Sequence, residues 1–278
     1  MMQNQALFRK RLGWLGEKTA VLLILFFIAF PIYWLLITAF KPEAYVFSST
    51  IIFPPTLDNF KAIFGGALDF GPYLLNSIVI SAITVLIAIP LATMASYVLS
   101  RYAFKGSTPL LIWFLVTQFI PPVVVVIPFF ILFRKIGIVD TQISLIIINL
   151  SLVLPYAVWM LKGFVDALPT EIEEAAVVDG CDEFGVLRRI TFPLMMPGVI
   201  TTAVFAFIMA WNEFLYALVL TRDDATTMTV GLLSTQTHRG VQWEWMSAAG
   251  MLVMVPIFIL SLTIRNYFVE GMTMGAVK

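Results

Sequence analysis

Residues 162–193 read KGFVDALPTEIEEAAVVDGCDEFGVLRRITFP. From Lys162 to Arg189, twenty-eight positions carry ten charged side chains: Lys162, Asp166, Glu171, Glu173, Glu174, Asp179, Asp182, Glu183, Arg188 and Arg189. The whole chain of 278 residues holds only 17 basic and 17 acidic residues. Charge this dense needs water. It stands between two long apolar runs, roughly 141–162 and 195–220, which need the opposite.

Working outward, further apolar runs lie at roughly 108–133, 74–100, 19–40 and 246–268. The chain is 60% hydrophobic, 14% aromatic and 12% charged, against about 25% charged in a typical soluble domain. Its mean hydropathy is +0.94. A bilayer-spanning helix needs about 20 apolar residues, so six runs of this length predict an all-α integral membrane protein with six transmembrane helices. The expected layout is a cytoplasmic N-terminal segment 1–18, a membrane domain 19–268 with a cytoplasmic helical loop at 164–193, and a cytoplasmic tail 269–278. The first run follows Arg9, Lys10, Arg11 and Lys18, is 22 residues long and lacks a small-x-small cleavage site after it. It reads as an uncleaved first span.

Six spans put both termini on one side, and basic residues favour the cytoplasm. With the N-terminus inside, the inner set is Arg9, Lys10, Arg11, Lys18, Arg101, Lys105, Lys162, Arg188, Arg189, Arg265 and Lys278, or eleven. The outer set is Lys41, Lys61, Arg134, Lys135, Arg222 and Arg239, or six. The cytoplasmic N-terminus is therefore expected. Seven of nine inner acids fall between Asp166 and Glu183.

Several chemistries are excluded. Zero net charge removes the basic excess of a nucleic-acid binder. A single cysteine, Cys181, allows no internal disulfide framework. No phosphate loop of the form G-x-x-x-x-G-K-[ST] occurs, nor H-E-x-x-H, nor G-x-S-x-G. His238 is the one histidine, in an expected outer loop. Glu213 is the one clear mid-membrane carboxylate, about 10 Å below the outer end of its run at 1.5 Å per residue. With Trp211 and Asn212 it forms a polar cluster suited either to a hydroxyl-rich solute or to a neighbouring helix. Pro121, Pro122, Pro128 and Pro256 interrupt the third and sixth runs, either as kinks or as bends around a solute path.

Within the charged island, Thr170 as N-cap and Glu173 three residues on form a capping-box pattern. Gly180 suits a left-handed C-terminal cap, and Asp182 can open a second short helix. A helix-turn-helix in water is expected. Ile172, Ala175, Ala176 and Asp179 fall at i, i+3, i+4 and i+7 on one helix face. Two alanines make that face flat enough for another protein, although a plain solvated connector fits the same pattern.

Glu174-Ala175-Ala176, three residues, Gly180, nine residues, Ile190, one residue, then Phe192-Pro193 resembles the EAA loop of permease subunits in binding-protein-dependent ATP-binding-cassette (ABC) importers. Phe192 stands where that family usually has leucine. Asp179 and Trp211-Asn212-Glu213-Phe214 look like the carbohydrate-importing branch. The tail from Tyr267 to Lys278 is similar to that of the subunit type related to the smaller maltose-importer permease.

The resemblance implies a type I importer permease in a bacterial cytoplasmic (inner) membrane. Its partners would be a second homologous permease, two cytosolic ATPase subunits, an extracytoplasmic solute-binding protein and membrane lipid, with no nucleic acid. The chain itself would bind no cofactor, and Mg-ATP would sit on the partner ATPases. Glu174, Ala175, Ala176, Asp179 and Gly180 would couple to an ATPase. Trp211, Asn212 and Glu213 would line the path of a sugar or polyol. The tail would touch the ATPases, and the polar stretch within Arg222–Glu244 (Ser234, Thr235, Gln236, Thr237, His238 and Arg239) would contact the binding protein, although a plain solvated loop fits it equally well. A stand-alone secondary transporter or channel is the alternative. An intramembrane enzyme would need a catalytic constellation these residues do not supply.

Overall fold

The computed structural model describes residues 2–65, 68–237 and 240–274, with side chains from Trp14 to Leu262 apart from Leu15. In chain order the helices are α1 (Met2–Ala39), α2 (Asp58–Gly65), α3 (Phe70–Arg101), α4 (Ser107–Thr117), α5 (Pro122–Ile136), α6 (Gln142–Asp166), α7 (Thr170–Val178) and α8 (Glu183–Val186). A π-helical turn, Leu187–Thr191, leads into α9 (Phe192–Leu194), α10 (Met196–Trp211), α11 (Leu215–Leu220), α12 (Met228–Gly231) and α13 (Trp243–Met274). Strands β1 (Gln236–Thr237) and β2 (Gly240–Val241) pair antiparallel, Gln236 opposite Val241.

Four helical segments are long and apolar enough to cross a membrane unbroken: Gly16–Ala39, Phe70–Arg101, Gln142–Asp166 and Trp243–Leu262. The third expected span is instead two helices, α4 and α5, bent by 95°. Pro121 and Pro122 sit at the break, because neither can donate to the preceding turn. Around the fifth, Glu183–Leu194 and Met196–Trp211 are bent by 77°, and a further interruption at Asn212–Phe214 separates α10 from α11.

The residues fall into two compact units, where the sequence reads as one domain. The first comprises residues 1–69 and 234–252, the second 70–233 and 253–278. In the first, Asn59 of α2 donates to the carbonyls of Ala39 and Lys41, each at 2.9 Å, satisfying one acceptor that the end of α1 leaves open and one just beyond it. Lys41 is fully buried, with Nζ donating to the Ser48 carbonyl at 3.0 Å and lying 4.6 Å from the Trp34 ring centroid. The hydrophobic stem fills space while the ammonium meets an aromatic face and a carbonyl. None of the apolar window of α1 is buried.

The second unit is organised by α3 and α6. Gln142 Nε2 donates to Asn76 Oδ1 at 2.7 Å near their starts, and Arg101 reaches the Val165 carbonyl at 2.9 Å at their ends. The two helices therefore run parallel, and the connection through α4 and α5 must cross back. Their contact is built from small and branched residues, including Ala88, Ala92, Val153, Ala157, Leu161 and Val165, all buried. In a membrane such small residues let backbones approach closely. α10 joins the pair. Gly198 at its start packs on Phe164 so closely that an added methyl would overlap the ring.

Two proline-containing helices are repaired in the same way. Pro155 lies in α6 and Pro256 in α13. Gln118 donates its amide to the Leu152 carbonyl at 3.1 Å, and Trp211 donates its indole N–H to the Val253 carbonyl at 3.1 Å. Each acceptor lies three residues before the proline, in the turn where the ring disturbs helical bonding. The polar side chains at the breaks of one span thus serve carbonyls beside the prolines of another.

Candidate functional site

The charged island forms the expected helix-turn-helix. Gly180 has φ +90°, the left-handed conformation glycine adopts without cost. The Cys181 N–H donates to the Ala176 carbonyl and the Gly180 N–H to the Val177 carbonyl, both at 3.0 Å, which is the Schellman arrangement. Asp182 accepts the Gly185 N–H at 3.2 Å and starts α8 as expected.

The beginning of α7 differs from the expectation. Pro169 occupies the N-cap and Thr170 is already helical, with no side-chain cap bond. Glu173 is committed elsewhere. Arg101 donates to its two carboxylate oxygens, at 2.7 Å from Nε and 3.2 Å from the terminal nitrogen, and Thr191 Oγ1 donates at 2.8 Å. The same Arg101 nitrogen reaches the carbonyls of Val165 and Leu168. Both charged side chains are about nine-tenths buried, at 11% and 10% exposure, so their pairing is required. This hub carries no signal in the capping-box pattern, because a glutamate at the third helical position serves equally well in either role.

Helix α7 is consequently rotated so that Ala176 faces inward beside Glu173, with 7% exposure. Ala176 is thereby corrected from outward face to mounting face. Ile172, Glu174, Ala175, Asp179 and Gly180 remain exposed. Val178, 87% exposed at the tip, is joined by Val177 and by Phe184 of α8. Glu171, Glu174, Asp179, Asp182 and Glu183 on the same two helices and their turn are exposed as well, so the tip combines exposed apolar and acidic groups. Just beyond α3, burial first, and then the neighbouring Glu183 carboxylate, push the Tyr102 phenol up to about 12.

Trp211, Asn212 and Glu213 part company. Trp211 is buried, bonded to Val253 and stacked on Phe207 with 5.6 Å between ring centroids. Of the two readings open for this side chain, it takes the neighbouring helix. Glu213 accepts the Tyr216 N–H at 2.7 Å and the Ala217 N–H at 3.0 Å, capping the first turn of α11 with both oxygens. Asn212 is exposed at the break between α10 and α11, and is the member of the three free to meet a solute.

At the other end of the α3–α6 pair, a second loop system is pinned by polar side chains. Asp140, at φ +61°, accepts the backbone N–H groups of Arg222, Asp223, Asp224 and Ala225 at 3.0–3.3 Å. Asn76 donates to the carbonyls of Asp224 and Thr226, and Ser77 accepts the Met228 N–H at 2.7 Å. His238 and Arg239 of the polar stretch lie outside the described residues, as do Gly275–Lys278 of the tail.

Residues 88–274 match the family model described as the binding-protein-dependent transport system inner membrane component. The diacetylchitobiose uptake system permease protein DasC of Streptomyces coelicolor is 35% identical over 94% of this chain and 95% of its own. The trehalose/maltose transport system permease protein MalG of Thermococcus litoralis is 32% identical, covering 90% and 91%. A chain in the crystal structure of a bacterial ABC transporter involved in import of the acidic polysaccharide alginate superposes with a TM-score of 0.77, at 18% identity, over 93% of this chain and 97% of that one. The match at this identity shows a shared fold. The chain therefore belongs to the inner membrane components of binding-protein-dependent transport systems, as a permease subunit of an ABC importer rather than an enzyme.

Proposed function

We propose that this permease forms, with a second homologous permease, the path for a sugar or polyol, and that two cytosolic ATPases drive it through the α7–α8 loop. The observation that carries this reading is the exposed tip itself. A chain without a phosphate loop presents Val178 and Phe184 to water together with exposed acidic groups. Such a tip is suited to an apolar groove with basic edges on a protein that does hold nucleotide. Mg-ATP accordingly belongs to the partners. Ile172, Glu174, Ala175 and Asp179 meet the ATPase, Gly180 sets the turn, and Ala176 seats the helix on its own chain.

The eleven-to-six distribution of basic residues supports a bacterial inner-membrane orientation with both termini and the α7–α8 loop cytoplasmic. The loops around Asp140 and Arg222–Glu244 then face the solute-binding protein. A carbohydrate solute is supported by the diacetylchitobiose and trehalose/maltose systems named for the relatives, and the exposure of Asn212 supports it as the residue of the Trp-Asn-Glu run that hydrogen-bonds the solute.

The test is a reconstituted complex of both permeases, the ATPases and the binding protein, supplied with trehalose and with diacetylchitobiose as probes. ATP-dependent uptake of a carbohydrate that needs every subunit is expected, and a Glu174→Ala, Gly180→Ala double variant should assemble yet hydrolyse ATP without uptake. Uptake by this chain alone, driven by an ion gradient, would establish the secondary-transporter alternative instead.

A further inference from the structure

We infer that the C-terminal end of α3 is the handle by which the α7–α8 loop and the membrane helices move each other, with Arg101 and Glu173 as its positioning residues. The inference rests on the function proposed above and concerns how a displacement of the loop reaches the spans.

Arg101 is the last residue of a 32-residue helix. Its guanidinium bonds four acceptors: both oxygens of Glu173 on α7, and the carbonyls of Val165 and Leu168 at the end of α6. Glu173 also accepts from Thr191, in the π-helical turn that leads toward α10. One buried ion pair thus joins α3, α6, α7 and the approach to α10. The fork of a guanidinium holds orientation as well as distance, which a lysine would not. The rest of α7 is exposed apart from Ala176. Beside the chain itself, which joins α7 to α6 through residues 167–169, this pair is the side-chain link by which force applied to the tip reaches α3.

A purely stabilising pair and a transmitting one differ in what an apolar replacement does. Exchanging a buried ion pair for hydrophobic residues of similar volume is often neutral or stabilising, but it removes the directional link. The experiment uses the reconstituted complex and measures ATP hydrolysis with and without the cognate solute-loaded binding protein, for wild type, the double variant Arg101→Met, Glu173→Leu, and the conservative Glu173→Gln. The expected result is a double variant that assembles, melts somewhat lower than wild type because the Leu168 carbonyl and the Thr191 hydroxyl lose their partners, and hydrolyses ATP, but has lost stimulation by the binding protein. Glu173→Gln, which keeps the shape and the Thr191 bond, should retain part of the stimulation. Full stimulation in the double variant would overturn the inference. Should the double variant fail to assemble, Glu173→Gln decides: reduced stimulation at unchanged melting temperature supports the handle, and unchanged stimulation overturns it. A wild-type complex that the binding protein does not stimulate would overturn the proposed function itself, and the inference with it.

Discussion

The two ends of the α3–α6 pair are fastened by different chemistry. At the end bearing the α7–α8 loop, one ion pair between side chains gathers four elements, while among the described residues the backbone of α7 makes no equivalent bonds to α3 or α6. At the opposite end, polar side chains grip backbone directly: Asp140 takes four successive N–H groups, Asn76 two carbonyls and Ser77 one N–H. Many separate bonds to main chain fix the path of residues 222–228. A single ionic hub instead fixes a short helix as a unit and leaves its exposed face to a partner. The hub suits a part that is pushed, and the main-chain bonds a part that stays.

The contrast predicts unequal costs when one group is removed. Arg101→Ala leaves the Glu173 carboxylate buried without its partner, a loss of about 3–5 kcal/mol, read as a lowered melting temperature of the purified protein in detergent. Asn76→Ala leaves two carbonyls and the Gln142 amide short of a partner, at about 1–3 kcal/mol, because water can reach part of that loop. If Asn76→Ala proves the costlier change, the loop end is not governed by one hub and the comparison inverts.

Much of this architecture is legible in the sequence. Apolar runs locate the spans, and Gly180 and Asp182 act as expected because cap conformations depend on neighbours one to four residues away. The orientation of α7 is not legible. Glu173 and Glu174 are adjacent carboxylates of identical local value, and only Arg101, seventy-two residues earlier, decides which one turns inward and takes Ala176 with it. Trp211 illustrates the same limit: an indole in a polar cluster suits a sugar, but the carbonyl of Val253 near Pro256 claims it. The proline pattern signals that carbonyls will need donors without saying which helix will supply them.

The smallest effect sharpens the comparison from the outer side. Burial alone would raise the Asp140 carboxyl, but the N–H groups of Arg222, Ala225, Asp223 and Asp224 prevail and hold it below its ordinary value. A carboxyl depressed on folding stabilises the fold above its unfolded value, near 3.9, and loses that contribution as pH falls through the folded value. The site is only partly buried, so solvent screening keeps the gain at about 1 kcal/mol or less. The difference in melting temperature between wild type and Asp140→Asn should therefore stay constant from about pH 8 to about pH 5 and shrink below about pH 4. A difference that widened toward acid would mean that the loop is held by the neutral acid as a donor, and that four backbone N–H groups are not what fastens this end.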